Sequence, residues 1–410
     1  MQIAHLPIVV VAFNRPEALS RLLRSVASAN YGNFTDIPLV ISIDGGGNKN
    51  KDVQNIAHTF TWKYGEKEVI THPENLGLRN HIISCGDLLN KFERQIVLEE
   101  DCFVSPNYYD FAFKSLTFYN TEKKVAGISL YSYLYYESFG TVFTPLIDGY
   151  DTYFMQVPSS LGQIWTKEQW FGFKAWYNTN PEIGENDKIP EKVKTWPENS
   201  WKKYFYKYMV ENDLFFVYPH IAFTTNFGDT GTHFPEKTQI YQVNIEYYEK
   251  GKSYNFPQFA NSNNKYDSYF EILPQCLIKR GLKIDPDTCI DIMGSKPLHL
   301  FTNIYALSCK SYGQALQSFD DVLIPVIQNV LHQMEGNSIY YGLRQNFGKI
   351  TQASRLRQIS NAQSLGFSAG MRQVLTHKYY KIGFYLINFT KIPAMLKRKI
   401  IRKFSPAKKK

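Results

Sequence analysis

The chain is poor in cysteine: five in 410 residues, at 85, 102, 276, 289 and 309, with no Cys-x-x-Cys spacing. That scatter argues against a disulfide framework and against a structural zinc site. Nor is there an apolar stretch of about 20 residues, so no segment reads as a membrane span. The first seven residues, Met1-Gln2-Ile3-Ala4-His5-Leu6-Pro7, carry no charged leader region. A reducing, cytoplasmic location is therefore the expectation. No glycine-rich phosphate loop with a lysine follows the first strand-like run; Asn14-Arg15-Pro16 stands there instead. Finally, acidic residues stop at Glu335. Residues 336–410 hold 16 of the 46 Lys and Arg, which leaves 30 basic against 37 acidic residues before them. The formal net charge of +9 is thus a −7 body carrying a +16 tail.

What is present begins with alternation. Residues 7–13 (Pro-Ile-Val-Val-Val-Ala-Phe) read as a buried strand, and Asn14-Arg15-Pro16-Glu17 as a turn and helix start. Leu19, Leu22, Leu23 and Val26 then recur at helical spacing. A second strand over 38–43 ends in Asp44-Gly45-Gly46-Gly47, and a weaker third over 68–71 precedes Asn75-Leu76-Gly77-Leu78-Arg79-Asn80. A helix over about 79–91 leads to a strand that ends in Glu99-Glu100-Asp101, and 125–131 reads as a further strand. The stretch 178–200, rich in Pro, Asn and Glu, reads as a long loop. Strand–helix alternation predicts a parallel sheet covered by helices, with the polar punctuation on one edge, where ligand crevices form.

The acid triplet has two readings. Three adjacent carboxylates repel one another and cost stability unless a cation or strong donors sit among them. Hard oxygen ligands suit Mg²⁺ or Mn²⁺, which bridge protein carboxylates to diphosphates. The other reading is a solvated acidic turn.

The tail also has two readings. Ile392, Leu396, Ile400 and Phe404 fall four residues apart among Lys397, Arg398, Lys399, Arg402 and Lys403, downstream of an aromatic stretch at 379–389. A basic amphipathic helix of this kind suits an anionic membrane surface. It equally suits packing on the body with a solvated basic face. Nucleic acid is not the expected partner, because the body is acidic and no nucleic-acid module is recognisable.

The ordered motifs carry a resemblance. Val-Val-Val-Ala-Phe-Asn-Arg-Pro (9–16), Ile-Ser-Ile-Asp-Gly-Gly (41–46), Glu-Asn-Leu-Gly-Leu-Arg-Asn (74–80) and Val-Leu-Glu-Glu-Asp (97–101) resemble, in this order, nucleotide-diphospho-sugar glycosyltransferases of the GT-A fold. The triplet with Cys-Phe-Val-Ser-Pro-Asn-Tyr-Tyr-Asp-Phe (102–111) is similar to the animal N-acetylglucosaminyltransferase I type. Leu-Gly-Gln-Ile-Trp (161–165), Ser-Trp-Lys-Lys-Tyr-Phe (200–205), Val-Tyr-Pro-His (217–220) and Asn-Phe-Gly-Asp-Thr-Gly-Thr-His (226–233) resemble family-2-like bacterial surface-polysaccharide glycosyltransferases.

The resemblance implies an α/β GT-A fold, a Rossmann-like and mostly parallel sheet flanked by helices, with the basic helical tail appended. It implies a transferase domain over 1–240, nucleotide-binding over residues 1–110 and acceptor-binding over residues 111–240. A mixed α/β extension over 241–335 and the tail 336–410 would follow. It implies a hexosyltransferase moving sugar from a UDP-sugar to a glycan acceptor. The acceptor expected is a lipid-linked glycan of surface polysaccharide, O-antigen or capsule, with transfer by inversion on the inner membrane face. Asp101 would hold Mn²⁺ or Mg²⁺, Glu99 and Glu100 would contact ribose or donor sugar, and Asp44 would read the uracil ring. Arg15 and Arg79 would lie beside the nucleotide, where guanidinium suits diphosphate oxygens. His233, in a glycine-flanked loop, would contact metal or diphosphate. The family writes this metal motif with aspartates, whereas the middle position here is Glu100. For the base that takes the acceptor proton the candidates are Glu198 and Asp229, since Lys202 follows Trp201 where relatives carry an acid. Trp165 would either stack on a sugar or belong to the core. Two rivals stand beside this reading: a nucleotidyltransferase on a similar sheet, and a non-catalytic glycan- or membrane-binding protein with a worn transferase fold.

Overall fold

The computed structural model describes residues 6–179, 181–229, 239–248 and 252–350. The chain opens with β1 (Ile8–Ala12), α1 (Pro16–Ala27), β2 (Leu39–Ile43), α2 (Lys51–Thr59), β3 (Lys67–Thr71), α3 (Gly77–Gly86) and β4 (Arg94–Glu99). Next come β5 (Cys102–Val104), α4 (Tyr108–Tyr119), β6 (Val125–Ser129), β7 (Tyr135–Tyr136), β8 (Thr141–Val142), β9 (Thr152–Met155), β10 (Gln163–Thr166) and α5 (Lys167–Tyr177). After these lie α6 (Glu191–Lys194), α7 (Trp201–Glu211), β11 (Phe215–Pro219), β12 (Thr224–Asn226), β13 (Lys265–Tyr266) and α8 (Pro274–Lys279). The last described elements are β14 (Thr288–Asp291), β15 (Tyr305–Ser308), β16 (Lys310–Tyr312), β17 (Gln317–Phe319), α9 (Ile327–Leu331), β18 (Ile339–Leu343) and β19 (Phe347–Ile350).

One nine-stranded sheet, in the order β13-β9-β11-β6-β10-β4-β1-β2-β3, organises the body. Its β1–β2, β2–β3, β1–β4, β6–β11 and β9–β13 pairs are parallel, while β10 runs antiparallel between β4 and β6. The protein is thus a mixed α/β fold with a large, mostly parallel sheet flanked by helices. The unbroken apolar run of β1 explains its central place. Strand side chains alternate, so Val9 and Val11 enter one core with Val40 and Val97, and Ile8, Val10 and Ala12 enter the other with Ile41, Ile96 and Leu98. Burying each such Val, Ile or Leu stabilises by about 1.5–3 kcal/mol. On α1, Leu19, Leu22, Leu23 and Val26 are buried, Pro16 sits at the first turn, and Arg24 lies in the last turn, matching the helix dipole.

The second sheet, β14-β15-β18-β17, and the β16-β19 pair form a C-terminal unit. Its Leu307, Phe319, Val330 and Ile339 join one hydrophobic core with Tyr136 and Phe270 of the body. Two expected boundaries therefore move. Residues past 240 still serve the main sheet through β13, which pairs with β9. Residues 339–350 hold two strands joined by a short 3-10 turn rather than the head of a helical tail, because β18 pairs with both β15 and β17 and β19 pairs with β16. The amphipathic pattern at 379–404 lies outside the described residues. Among the described residues, no helix is long and apolar enough to cross a membrane.

Candidate active site

Parallel pairing aligns the carboxyl ends of β1, β2 and β4, with Val11 opposite Glu99 and Ala12 opposite Ile43. Phe13–Arg15, Asp44 and Glu99–Asp101 consequently share one edge. There Arg15 closes on the triplet: its Nε donates to Glu100 Oε1 at 2.6 Å and its Nη1 to Asp101 Oδ2 at 2.9 Å. The Phe13 backbone N–H donates to Glu100 Oε2 at 2.8 Å, so both oxygens of this buried carboxylate are engaged. The guanidinium is the strong cation that three adjacent acids demand. Burial alone would lower the Arg15 pKa, but Asp101 and Glu100 outweigh it and raise it. Burial pushes the Glu100 carboxyl up against the pull of Arg15. Glu99 is pushed up to about 8, first by desolvation and then by Asp101, while Arg15 and Lys202 oppose. Asp101 Oδ1 is buried without a hydrogen-bond partner.

Asp44 does something narrower than expected. Its Oδ1 accepts from the N–H groups of Gly45 and Leu76, each at 2.8 Å, and its Oδ2 from Gly77 N at 3.1 Å. The carboxylate thereby shapes the turn into α3. Gly45 is required there, because a Cβ would sit 2.2 Å from the Glu74 carbonyl carbon, and Gly77 adopts φ +72°. Arg79, in the first turn of α3, has a buried Nε without a partner and lies 5.7 Å from the Tyr204 ring. Beneath, Ser42 Oγ lies 2.8 Å from His81 Nε2 and 3.3 Å from His72 Nε2. Burial lowers His81 to about 4, opposed by Asp44 and aided by His72.

The two base candidates are already engaged. The Glu198 side chain is 78% exposed and receives Lys203 Nζ at 2.5 Å and Tyr204 OH at 2.6 Å, which hold its carboxyl below the usual range. Asp229 pairs with Arg21 of α1. Trp165 is fully buried among Trp170, Trp201 and Phe205, so it belongs to the core rather than to a sugar pocket. His233 lies outside the described residues.

No protein-family model matches the chain, and no curated protein matches it. Solved structures are similar at low level. S. aureus TarS residues 1–349 shares 12% identity over 54% of this chain and 59% of that one, with a TM-score of 0.32. The mannosyltransferase PcManGT from Pyrobaculum calidifontis, solved with GDP-Man and Mn²⁺, shares 12% over 40% and 45%, at 0.29. GalNAc-T7, solved with UDP, GalNAc and Mn²⁺, shares 12% over 54% and 43%, at 0.36. The chain spans less than two thirds of each. At scores this low, similarity carries no information about chemistry.

The site also holds residues to which the sequence assigned no role. Lys202 Nζ donates to Tyr133 OH at 3.1 Å and stands 5.6 Å from the Trp196 ring. Burial by itself would lower this ammonium, but Tyr133, Glu137 and Glu99 leave it raised. Tyr241 OH donates to Glu137. The electrostatic neighbourhood therefore sets Glu99, Glu100, Asp101 and Glu137 against Arg15 and Lys202, an excess of negative charge when all ionise. Among the described residues, no cluster of three or more His, Cys, Asp or Glu forms a ready-made metal cage. A free Asp101 oxygen in an acidic neighbourhood fits a divalent ion that takes its other ligands from a diphosphate and water.

Proposed function

We propose that this protein is a glycosyltransferase moving a sugar from a nucleotide-diphospho-sugar, a UDP-sugar, to a glycan hydroxyl. The buried, unpartnered Asp101 oxygen on the carboxyl edge of a parallel sheet carries this reading. The motif resemblance over 9–101 supports it. Asp101 would hold Mn²⁺ or Mg²⁺, with Glu99 beside it. When bound, the ion offsets charge on the departing diphosphate. Arg15 keeps Glu100 and Asp101 in place, and Arg79, with donor capacity to spare, grips diphosphate oxygens. Asp44 positions the backbone of 75–77 around the nucleotide pocket. Holding donor and acceptor together supplies much of the acceleration. A lipid-linked acceptor of surface polysaccharide, transfer by inversion, and attachment to the inner membrane face through the basic segment beyond 350 complete the proposal.

A thermal-shift screen of nucleoside diphosphates with and without Mn²⁺ tests it. A ligand binding only the folded state at a hundred times its Kd adds about 2.7 kcal/mol of stability. A Mn²⁺-dependent shift selective for UDP is expected, and Asp101→Asn abolishes it. No shift with any nucleotide, or an unchanged shift in Asp101→Asn, refutes the assignment.

A further inference from the structure

Two separate paths lead from the acid triplet to Glu137, in the turn between β7 and β8. The first runs through Lys202, which hydrogen-bonds Tyr133 at 3.1 Å and whose ammonium feels the charges of both Glu137 and Glu99. The second runs along the backbone. β12 pairs with β5, the strand that follows the triplet, and Phe227 N donates to the Asp101 carbonyl at 3.3 Å. The segment after it returns: Gln242 Nε2 donates to the Phe227 carbonyl at 3.3 Å, and Val243 N to Thr225 Oγ1 at 2.9 Å. The adjacent Tyr241 then donates its hydroxyl to Glu137 Oε2. Among the described residues, no group donates to the other oxygen of Glu137. Lys202, Glu137 and Tyr241 reach the surface in part, over buried Tyr131, Tyr133 and Tyr206. Trp196 flanks Lys202 and offers an apolar ring face beside these polar tips.

We propose that Glu137 is the catalytic base and that Lys202, Trp196 and Tyr241 form the acceptor-side rim, a proposal resting on the transferase reading above. In the step, Glu137 Oε1 takes the proton of the acceptor hydroxyl. The acceptor oxygen forms its bond to the anomeric carbon as that carbon's bond to the diphosphate oxygen breaks, and the electron pair leaves with the diphosphate. Tyr241 is a positioning residue, fixing the carboxylate through Oε2. Glu198 is less suited because both its oxygens are engaged in solvent, and Asp229 because Arg21 holds it.

The test uses the full chain with Mn²⁺ and three probes: UDP-glucose, UDP-galactose and UDP-N-acetylglucosamine. Turnover is read as the UDP released when the sugar passes to water or to a p-nitrophenyl hexoside, and donor binding as the Mn²⁺-dependent thermal shift with UDP. Glu137→Gln is expected to keep the shift and to lose turnover by about 10²–10⁴-fold. Glu137→Asp restores part of it, and Tyr241→Phe lowers kcat while leaving the donor KM unchanged. Wild-type turnover in Glu137→Gln, with the UDP shift present, overturns the proposal alone. So does a loss in Glu198→Gln or Asp229→Asn that Glu137→Gln does not share. Absence of any UDP shift in the unaltered chain overturns the transferase reading itself.

Discussion

Replacing Arg15 by Met removes the one cation that, among the described residues, is bonded to the acid triplet, while keeping most of the side-chain volume. Glu100 is 4% exposed and would keep only the Phe13 N–H, and Asp101 would lose its bonded oxygen's partner. Breaking a buried ion pair from one side costs about 3–5 kcal/mol. The Arg15 side chain is 27% exposed, so water reaches the gap and the low end, about 3 kcal/mol, applies. At about 2 °C per kcal/mol for a body of this size, the melting temperature falls by about 6 °C. The cost belongs to ionised carboxylates. Burial already raises the Glu100 pKa, and losing Arg15 raises it further. The deficit should therefore be full at pH 8 and shrink as pH falls and the carboxyl takes up a proton. Mn²⁺ at millimolar concentration should restore more stability to the variant than to the unaltered chain, because it substitutes for the missing cation. Differential scanning fluorimetry at pH 5.5 and 8, with and without Mn²⁺, reads all of this. A deficit under 1 kcal/mol at pH 8, or one independent of pH, would refute the account of Arg15 as the internal counter-ion of the triplet.

Two further outcomes are expected. His81 is held at about 4, well below the ordinary 6.5, so the unfolded chain binds a proton there that the folded chain refuses. Its stability contribution is complete above pH 6.5 and drains away as pH falls toward 4, and His81→Asn should flatten that limb of a pH–stability curve. Gly86→Ala would put a Cβ 2.1 Å from Trp170 Cζ2, in a core of fully buried rings, and should cost about 1–3 kcal/mol in urea titrations. A Gly86→Ala chain as stable as the parent would show that α3 and α5 pack less closely than this distance requires.

Much of the site's scaffold was legible locally. The all-apolar Ile8–Ala12 run, the Leu19–Leu22–Leu23–Val26 stripe and the Asp44 and Glu99–Asp101 punctuation are periodicity signals, and strands connected through helices pair in parallel with their ends aligned. The strands over 339–350 were not legible. They are short, and their pairing with β15, β16 and β17 is non-local, while the basic residues around them read as the start of a charged tail.

Sequence alone determined the alternation of strands and helices over the first 101 residues, the apolar runs that fill them, and which polar residues terminate β1, β2 and β4. Those properties follow from neighbours a few positions apart. Only the tertiary structure decided what the polar residues do. Arg15 meets Glu100 across 85 residues, Tyr241 meets Glu137 across 104, and Asp44 binds its own α3 turn across 32 and 33. Which carboxylate is neutralised, which is spent on backbone and which keeps a free oxygen depends on distances that close only when the sheet assembles. Coulomb energies and desolvation act through space, not along the chain.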